Sequence, residues 1–242
     1  MLSRRYAEDA VVEAGVDEAG RGSFWGSLYA AAVIWPDEAT WTDEIKTLVP
    51  NIKDSKKLSA KKRDKIADDI KRLATDWAVG TVTAAEIDSN GIQWANKQAF
   101  HRALDGLKKA RPGRALIDGI LPIVRDDMEI VTVVDGDAQF IPIAAASILA
   151  KVDHDRWLQS RCDADLSLIT KYDLLSCKGY GTARHRLGIQ THGLHSEHRR
   201  TFIRTSLHPE GLSNKTDRAR LITGDEENCL INLANTIVHE GK

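Results

Sequence analysis

The chain of 242 residues contains only 3 cysteines and 6 prolines, and it has no long apolar run. Cys162, Cys177 and Cys229 are widely spaced and form no C-x-x-C pair, which argues against a disulfide scaffold or a cysteine-based zinc site. We interpret them as reduced thiols of a cytoplasmic protein. The longest apolar stretch, residues 28–35, is far shorter than the ~20 residues that a transmembrane helix needs. The N-terminus lacks the apolar core of a secretion signal, so we expect an unexported protein with no membrane association.

Net charge is also nearly absent, because 34 Lys and Arg residues balance 35 Asp and Glu residues. A chain that is 42% hydrophobic and carries so little net charge is expected to fold. The positive charges are concentrated in residues 51–72 and in residues 178–204. Such a run is usually only a solvated surface, but two of them in a neutral chain favour a polyanionic partner.

Short aliphatic runs alternate with helical periodicities along the first 160 residues. The predicted strands are residues 11–16, 27–35, 77–83, 115–118 and 129–134. The longer predicted helices are residues 59–74 (with Ser59 as the N-cap), 92–109 and 142–159. This order predicts an α/β fold with a mixed sheet flanked by helices, in a domain of residues 1–204. Residues 205–242 are predicted to be a helical C-terminal appendage, with a short helix over residues 230–239.

The most specific feature is the segment Asp17-Glu18-Ala19-Gly20-Arg21-Gly22 at the end of the first predicted strand. Neighbouring side chains of a strand point to opposite faces, so both carboxylates can serve one site only where the strand ends and the backbone turns. The two glycines supply that freedom and permit close approach to a sugar-phosphate, and Arg21 can bind a phosphate. The alternative interpretation is a polar turn with a salt bridge.

Asp118 and Asp137 lie at or just beyond the ends of two further predicted strands, each beside a glycine. Taken singly, each suits a turn. If the strand ends converge, these two carboxylates join Asp17 and Glu18, and such crowding is unfavourable unless a cation neutralises it. Oxygen ligands favour Mg²⁺ or Mn²⁺ over zinc. Two such ions in a carboxylate cluster are a known device for in-line phosphoryl displacement.

Six motifs, in order along residues 11–204, resemble those of ribonuclease HII, the type 2 ribonuclease H family. They are VDEAGRG (16–22), DSKKL (54–58), LIDG (116–119), GD with AAASILAKV (136–137 and 144–152), KGYGT with His185 (178–182), and HRRTF (198–202). The resemblance implies a ribonuclease H-like fold. It also implies an endonuclease that hydrolyses the RNA strand of RNA–DNA hybrids and cuts 5′ of ribonucleotides embedded in duplex DNA. Two Mg²⁺ or Mn²⁺ ions and products with 5′-phosphate and 3′-hydroxyl ends are part of this expectation.

The resemblance also implies roles for individual residues. The metal-binding catalytic carboxylates would be Asp17, Glu18, Asp118 and Asp137. The substrate contacts would be Gly20, Arg21, Gly22, Lys56, Lys57, Lys178, Tyr180 and Thr182. Within this set, the glycine–arginine segment would contact the 2′-OH and the flanking phosphates, and Tyr180 would lie against the sugar after the ribonucleotide. Lys56 and Lys57 would bind backbone phosphates. The small residues 144–147 are assigned only a packing role at a helix start.

Three segments depart from the family pattern, and several alternatives stay open. One is Asp153-His154-Asp155, which replaces the usual arginine before the helix aspartate. Residues 23–28 replace a proline-containing stretch, so Phe24 and Trp25 either pack on the core or face the substrate. Asp135 stands where a lysine often precedes the Gly-Asp pair. The alternatives are ribonuclease HIII, a silent hybrid-binding protein and a metal-dependent exonuclease. The spacing of His192, His195 and His198 is compatible with zinc, although the resemblance favours a structural or phosphate-facing segment. We expect a monomer and leave a sliding-clamp partner open.

Overall fold

The computed structural model describes residues 2–52 and 59–207, with side chains as far as residue 203. Lys56 and Lys57, predicted to bind phosphates, lie outside the described residues, as do the rest of the DSKKL motif and residues 208–242 of the predicted appendage. The chain divides into two units, Met1–Thr201 and Phe202–Lys242. The sheet and the candidate site belong to the first unit.

All five predicted strands are present. They are β1 (Glu13–Ala19), β2 (Leu28–Ile34), β3 (Asp76–Val82), β4 (Arg114–Asp118) and β5 (Glu129–Val133). The α-helices of the described residues are α1 (Asp43–Leu48), α2 (Ala60–Leu73), α3 (Ala84–Asn90), α4 (Ile92–Asp105), α5 (Ile141–Ala164), α6 (Ser167–Tyr172), α7 (Leu174–Cys177), α8 (Ala183–His192) and α9 (Arg200–Leu207). No helix among them is both long and apolar enough to cross a membrane.

The strands form one mixed sheet in the order β3-β2-β1-β4-β5. β1, β2 and β3 are joined antiparallel, whereas β4 and β5 are added in parallel on the other side of β1. Every residue of β2 is buried, as its continuous apolar run predicts for a strand covered on both faces. Because β1, β4 and β5 are parallel, their carboxyl ends meet at one edge of the sheet, and this edge carries the candidate site.

Helix α5 packs directly on the backbone of β1. A Cβ atom at Gly15 would lie 2.2 Å from backbone atoms of Pro142 and Ile143, so only glycine permits this approach. Pro142 stands in the first turn of α5, where it removes no helical hydrogen bond. On the opposite face, α4 lies equally close to Gly80 of β3. The sheet is therefore covered by helices on both faces, as predicted.

Two predicted strand ends differ slightly from the structure. β1 was expected to end at Asp17-Glu18, but it continues to Ala19, because residues 14–19 all pair with β2. The third strand was expected over residues 77–83, but β3 ends at Val82 and α3 begins at Ala84. Thr83 and Glu86 form a capping box there, in which each side chain accepts a hydrogen bond from the other residue's backbone. The predicted cap of α2 is confirmed, since Ser59 accepts a hydrogen bond from Lys62 N.

Candidate active site

Asp17 and Glu18 lie within β1 and serve its two faces. Asp17 is buried, contacts the hydroxyl of Ser147 on α5, and accepts a hydrogen bond of 2.7 Å from the backbone N–H of Glu18. Glu18 faces Asn96 on α4. The carboxylates therefore lie at the end of the strand, as the sequence predicted, and not beyond it. Both belong to the last three residues of β1, beside the end of the neighbouring strand β4.

Asp118 is the last residue of β4 and lies next to this pair. In the parallel register Val16 pairs with Ile117, so Asp17 and Asp118 occupy the next positions of the two strands. The carboxylate of Asp118 accepts a hydrogen bond of 2.7 Å from Gly136 N. Asp137 follows Gly136 in a short turn after β5 and is half-buried. The connection through Gly136 ties the turn that carries Asp137 to the same edge of the sheet.

Burial and mutual repulsion make this edge unfavourable for negative charge. Burial raises the pKa of Asp17 well above its usual range, and the charges of Asp118 and Glu18 raise it further. Burial also raises the pKa of Glu18, and Asp118 adds to this effect, while Arg21 opposes it. A divalent cation bound here would offset both the repulsion and the lost hydration.

The donor set suits a hard dication, because it consists of carboxylate oxygens. Within residues 2–52 and 59–203, however, no three His, Cys, Asp or Glu side chains are grouped closely enough to hold an ion. The carboxylates at the sheet edge would therefore have to rotate towards one another to share one. Asp17, Glu18, Asp118 and Asp137 are the residues that would hold it.

Replacing Asp17 by Asn is expected to stabilise the metal-free protein at neutral pH. Because the folded-state pKa of Asp17 is raised, the stability linked to this group is present when it is protonated and is lost as the pH rises through the raised pKa. Asn keeps an acceptor for Glu18 N but carries no charge. Thermal unfolding in chelator should show a higher Tm than wild type at pH 8, by about 2–4 °C per kcal/mol recovered, and a smaller gain at pH 4.

The matched control is Asp126→Asn, which removes an exposed carboxylate in the β4–β5 connection. Its Tm should follow that of the wild type at both pH values. A lower Tm for Asp17→Asn than for wild type at pH 8 would contradict the destabilising charge.

The glycine–arginine segment forms the loop directly after β1. Gly20 has a positive φ of 80° and lies against the buried ring of His154, since a Cβ atom there would be 2.8 Å from His154 Nε2. Arg21 is exposed, and its guanidinium is 3.7 Å from Glu18 Oε1. The loop therefore presents a cation and bare backbone beside the carboxylates.

The buried side chain of Arg199 holds this loop through hydrogen bonds, a role that the sequence did not reveal. Its side chain is completely buried, and its guanidinium donates to the carbonyl oxygens of Arg21 (3.0 Å) and Gly26 (2.8 Å). Its backbone N–H donates to Phe24 O. Burial lowers the pKa of Arg199 to about 10, so the side chain stays protonated at neutral pH. The HRRTF motif signalled this position, but no spacing in the sequence links it to residues more than 170 positions away.

The predicted loop of residues 178–182 lies beside the glycine–arginine segment. Tyr180 is 41% exposed, and a Cβ atom at Gly22 would lie 3.6 Å from its ring. The backbones of Tyr180 and Ser23 form a β-bridge that joins the two loops. Lys178 is half-buried with a positive φ of 51°. Thr182 is exposed and caps α8 by accepting a hydrogen bond from His185 N.

The open alternatives for two aromatic and three imidazole side chains can now be described by their contacts. Trp25 is completely buried and packs on Trp157, so it belongs to the core, while Phe24 is half-buried. His195 Nδ1 accepts a hydrogen bond from Trp25 Nε1, and His198 Nδ1 accepts one from His195 N. These bonds occupy the Nδ1 atoms of His195 and His198, and among the described residues His192, His195 and His198 do not form a group that could hold a metal ion.

Comparisons with known proteins agree with the arrangement of strands and motifs. The profile of the family named ribonuclease HII matches residues 14–208. Ribonuclease HII of Parabacteroides distasonis is 44% identical over 209 residues, which cover 86% of this chain and 96% of the relative. The chain belongs to the ribonuclease HII family. Ribonuclease HII of Neisseria meningitidis serogroup C is 41% identical, over 79% of this chain and 92% of that protein.

Solved structures show the same fold. Ribonuclease H2 of Pyrococcus horikoshii OT3 superposes with a TM-score of 0.64 at 26% identity, covering 80% of this chain and 95% of that one. Ribonuclease HII of Archaeoglobus fulgidus, solved as a complex with PCNA, gives a TM-score of 0.62 at 25% identity, covering 83% of this chain and 98% of that one. A ribonuclease HIII structure shares the fold at 20% identity and a TM-score of 0.56.

Membership of the ribonuclease HII family decides between the alternatives. The protein is a metal-dependent endoribonuclease that cleaves the RNA strand of RNA–DNA hybrids. Ribonuclease HIII is set aside, since its structures resemble this chain in fold alone, whereas relatives named ribonuclease HII are more than 40% identical to it over the aligned residues. The silent hybrid-binding protein and the exonuclease are set aside with it.

Proposed function

We propose that this ribonuclease HII cuts the O3′–P bond on the 5′ side of a ribonucleotide embedded in duplex DNA, as well as the RNA strand of longer hybrids. The observation that carries the proposal is the juxtaposition of acidic strand ends, the glycine–arginine loop and Tyr180. Acidic groups from β1 and β4 adjoin each other, and the loop after β1 lies against the Tyr180 ring. The carboxylates proposed for hydrolysis thus lie next to the loop and the Tyr180 ring that are proposed to bind the sugar.

The catalytic centre in this proposal is the carboxylate cluster Asp17, Glu18, Asp118 and Asp137. Two Mg²⁺ or Mn²⁺ ions would supply activated water and charge neutralisation at the leaving oxygen. The backbone N–H of Gly136 donates to Asp118 and that of Glu18 donates to Asp17, so each carboxylate is held in place by a backbone hydrogen bond. Because water attacks phosphorus and the 2′-OH does not, the products would have 5′-phosphate and 3′-hydroxyl ends.

In this proposal the backbone of the glycine–arginine loop and the ring of Tyr180 recognise the ribonucleotide. The 2′-OH distinguishes RNA from DNA, and closely approaching backbone groups can bind it. Gly22 is exposed and leaves such backbone uncovered, whereas Gly20 is buried against His154 at the base of the loop. The exposed ring of Tyr180 lies beside Gly22 and would contact the next sugar. Arg21 and Lys178 lie on the two adjoining loops and would bind the phosphates of the substrate, with Thr182 contributing its hydroxyl.

Cleavage of defined duplexes tests the proposal. The substrates carry zero, one or four ribonucleotides in one DNA strand, and each is incubated with Mg²⁺, Mn²⁺ or chelator. We expect cleavage 5′ of the single ribonucleotide with either metal, and none in all-DNA duplex or in chelator. Product ends are checked by ligation of the 5′-phosphate and polymerase extension of the 3′-hydroxyl. Cyclic phosphate ends would contradict the mechanism, and an uncut single-ribonucleotide duplex would contradict the specificity.

We also propose that the protein acts as a monomer and that a sliding clamp is a candidate partner. The support for the clamp is that the Archaeoglobus fulgidus relative was solved in complex with PCNA. Light scattering of the purified protein, alone and with the clamp of its own organism, tests both statements. A dimer alone, or no shift in mass with the clamp, would contradict them respectively.

A further inference from the structure

A buried chain of imidazole rings lies behind the Tyr180 loop. His185 is completely buried and His198 is 2% exposed, and their Nε2 atoms are 3.0 Å apart. At one end of this pair, His185 Nδ1 is 3.0 Å from the carbonyl oxygen of Tyr180. At the other end, the backbone N–H of His195 is 2.7 Å from His198 Nδ1. These groups form one hydrogen-bonded chain that ends on the backbone of Tyr180.

The proton positions in this chain follow from its two ends. His198 Nδ1 is 2.7 Å from the backbone N–H of His195 and 3.3 Å from the carbonyl oxygen of the same residue. Because a backbone N–H always carries its proton, the shorter contact makes His198 Nδ1 an acceptor and places the ring proton on Nε2. That Nε2–H donates to His185 Nε2, which leaves the proton of His185 on Nδ1, facing the carbonyl oxygen of Tyr180. The chain is complete only when both rings are neutral and hold opposite tautomers, because one more proton would place two N–H groups face to face.

The surroundings of the two rings favour the neutral state. Burial lowers the pKa of His198 to about 3 and also lowers the pKa of His185, despite the opposing charge of Asp173. The ring of Tyr172 lies edge-on to His198, with the ring centroids 4.9 Å apart. The thiol of Cys177 is 3.7 Å from His185 Nδ1, and burial raises its pKa to about 11, so it stays protonated.

Tyr180 is the point at which this buried chain reaches the surface beside the glycine–arginine loop. Its carbonyl oxygen also accepts a hydrogen bond of 2.8 Å from Thr182 N, and its backbone is bridged to Ser23. A carbonyl held from two directions restricts rotation of the peptide that carries the ring. A side chain that must meet a sugar in one orientation depends on such support.

We propose that His185 and His198 are positioning residues that form a neutral two-imidazole relay and hold Tyr180 for recognition of the ribonucleotide junction. The proposal rests on the proposed role of Tyr180 and extends it to two buried side chains. Both rings act through the Tyr180 carbonyl. Loss of the relay should therefore lower cleavage at a single embedded ribonucleotide more than cleavage of a long hybrid, where many positions are available for productive binding.

Two substitutions of His185 separate the relay from simple packing. His185→Leu fills the space but donates nothing, whereas His185→Asn retains an amide N–H near the position of Nδ1. The measured quantity is the ratio of kcat/KM for the single-ribonucleotide duplex to kcat/KM for the long hybrid. We expect His185→Leu to lower this ratio about tenfold, the effect of one lost orienting hydrogen bond, and His185→Asn to restore most of it. His192→Leu, at an exposed position of the same helix, is the matched control and should leave the ratio unchanged.

Comparison with Tyr180→Ala distinguishes failure of the relay from failure of the proposed function. Tyr180→Ala should lower the ratio at least as much as His185→Leu, and the double variant should be no worse than Tyr180→Ala, because both changes remove the same contact. A ratio that is lost in Tyr180→Ala but kept in His185→Leu would overturn the relay alone. A ratio unchanged in Tyr180→Ala would overturn the proposed role of Tyr180 and the relay with it. Additive losses in the double variant would also overturn the relay.

The tautomers of the two rings can be measured by NMR in the wild-type protein, so this test does not depend on whether a variant folds. The ¹⁵N shifts of the imidazole nitrogens report which one is protonated. We expect the Nδ1–H tautomer for His185 and the Nε2–H tautomer for His198 at neutral pH. The same tautomer on both rings, or a protonated imidazolium on either, would overturn the relay.

Discussion

Asp118→Asn is expected to reduce cleavage of RNA–DNA hybrid by about 10²- to 10³-fold while leaving the fold and hybrid binding intact. The amide oxygen of Asn can still accept the hydrogen bond from Gly136 N, so the end of β4 keeps its anchor. The substitution removes one negative charge from the group that also contains Asp17 and Glu18. Divalent cations should bind more weakly as a result, and the rate of hydrolysis should fall with them.

The measurements for this variant are single-turnover cleavage in Mg²⁺ and in Mn²⁺, and hybrid binding by fluorescence anisotropy in chelator. Asp126→Asn, an exposed carboxylate in the connection after β4, is the control and should cleave at the wild-type rate. Wild-type turnover by Asp118→Asn would remove Asp118 from the catalytic centre. Loss of hybrid binding together with activity would instead indicate a role in holding substrate.

Gly15→Ala is expected to destabilise the protein by about 3 kcal/mol or more, because the added methyl has no space. Its Cβ atom would lie 2.2 Å from backbone atoms of α5, which cannot turn aside as a flexible side chain can. Either β1 or α5 must shift by more than an ångström. Since β1 carries Asp17 and Glu18, cleavage should fall in the same variant even at temperatures where it remains folded.

Urea unfolding of Gly15→Ala measures this effect, with the change in free energy of unfolding taken from the midpoint and slope. Gly113→Ala is the matched control, because its Cβ atom would meet only the end of the Val11 side chain, at 2.9 Å, which can move away. The control should lie within about 1 kcal/mol of wild type. A loss below about 1 kcal/mol in Gly15→Ala would show that the contact between β1 and α5 is looser than described.

Local sequence patterns predicted the sheet because each strand has its own signal. The apolar run of β2 requires burial on both faces, and the aliphatic residues before Asp118 require a short buried strand. The same local rule put the end of β1 at Asp17-Glu18, one residue before its end at Ala19. Here Asp17 and Glu18 stay in the strand because they pair with Ala31 and Ala30 of β2, residues that are buried and continuous.

The sequence named the acidic residues and Tyr180 as members of the candidate site, but it did not name the residues that contact and support them. Ser147 was assigned only to helix packing, yet it contacts Asp17. Asn96 faces Glu18, and the guanidinium of Arg199 holds the loop carbonyls, although nothing near either residue in the chain marks such a contact. The roles of all these site residues remain predictions, and Lys56 and Lys57 also lie outside the described residues.

By itself, the sequence determined the order of strands and helices, the family and the residues that can carry the chemistry, because these depend on residue type and on short spacings. Tertiary structure alone decided which groups meet. Arg199 reaches the carbonyl of Arg21 across 178 positions of the chain, and His198 reaches His185 across 13. Such contacts depend on the packing of whole elements and on the burial that keeps the imidazoles neutral, and no local pattern encodes either.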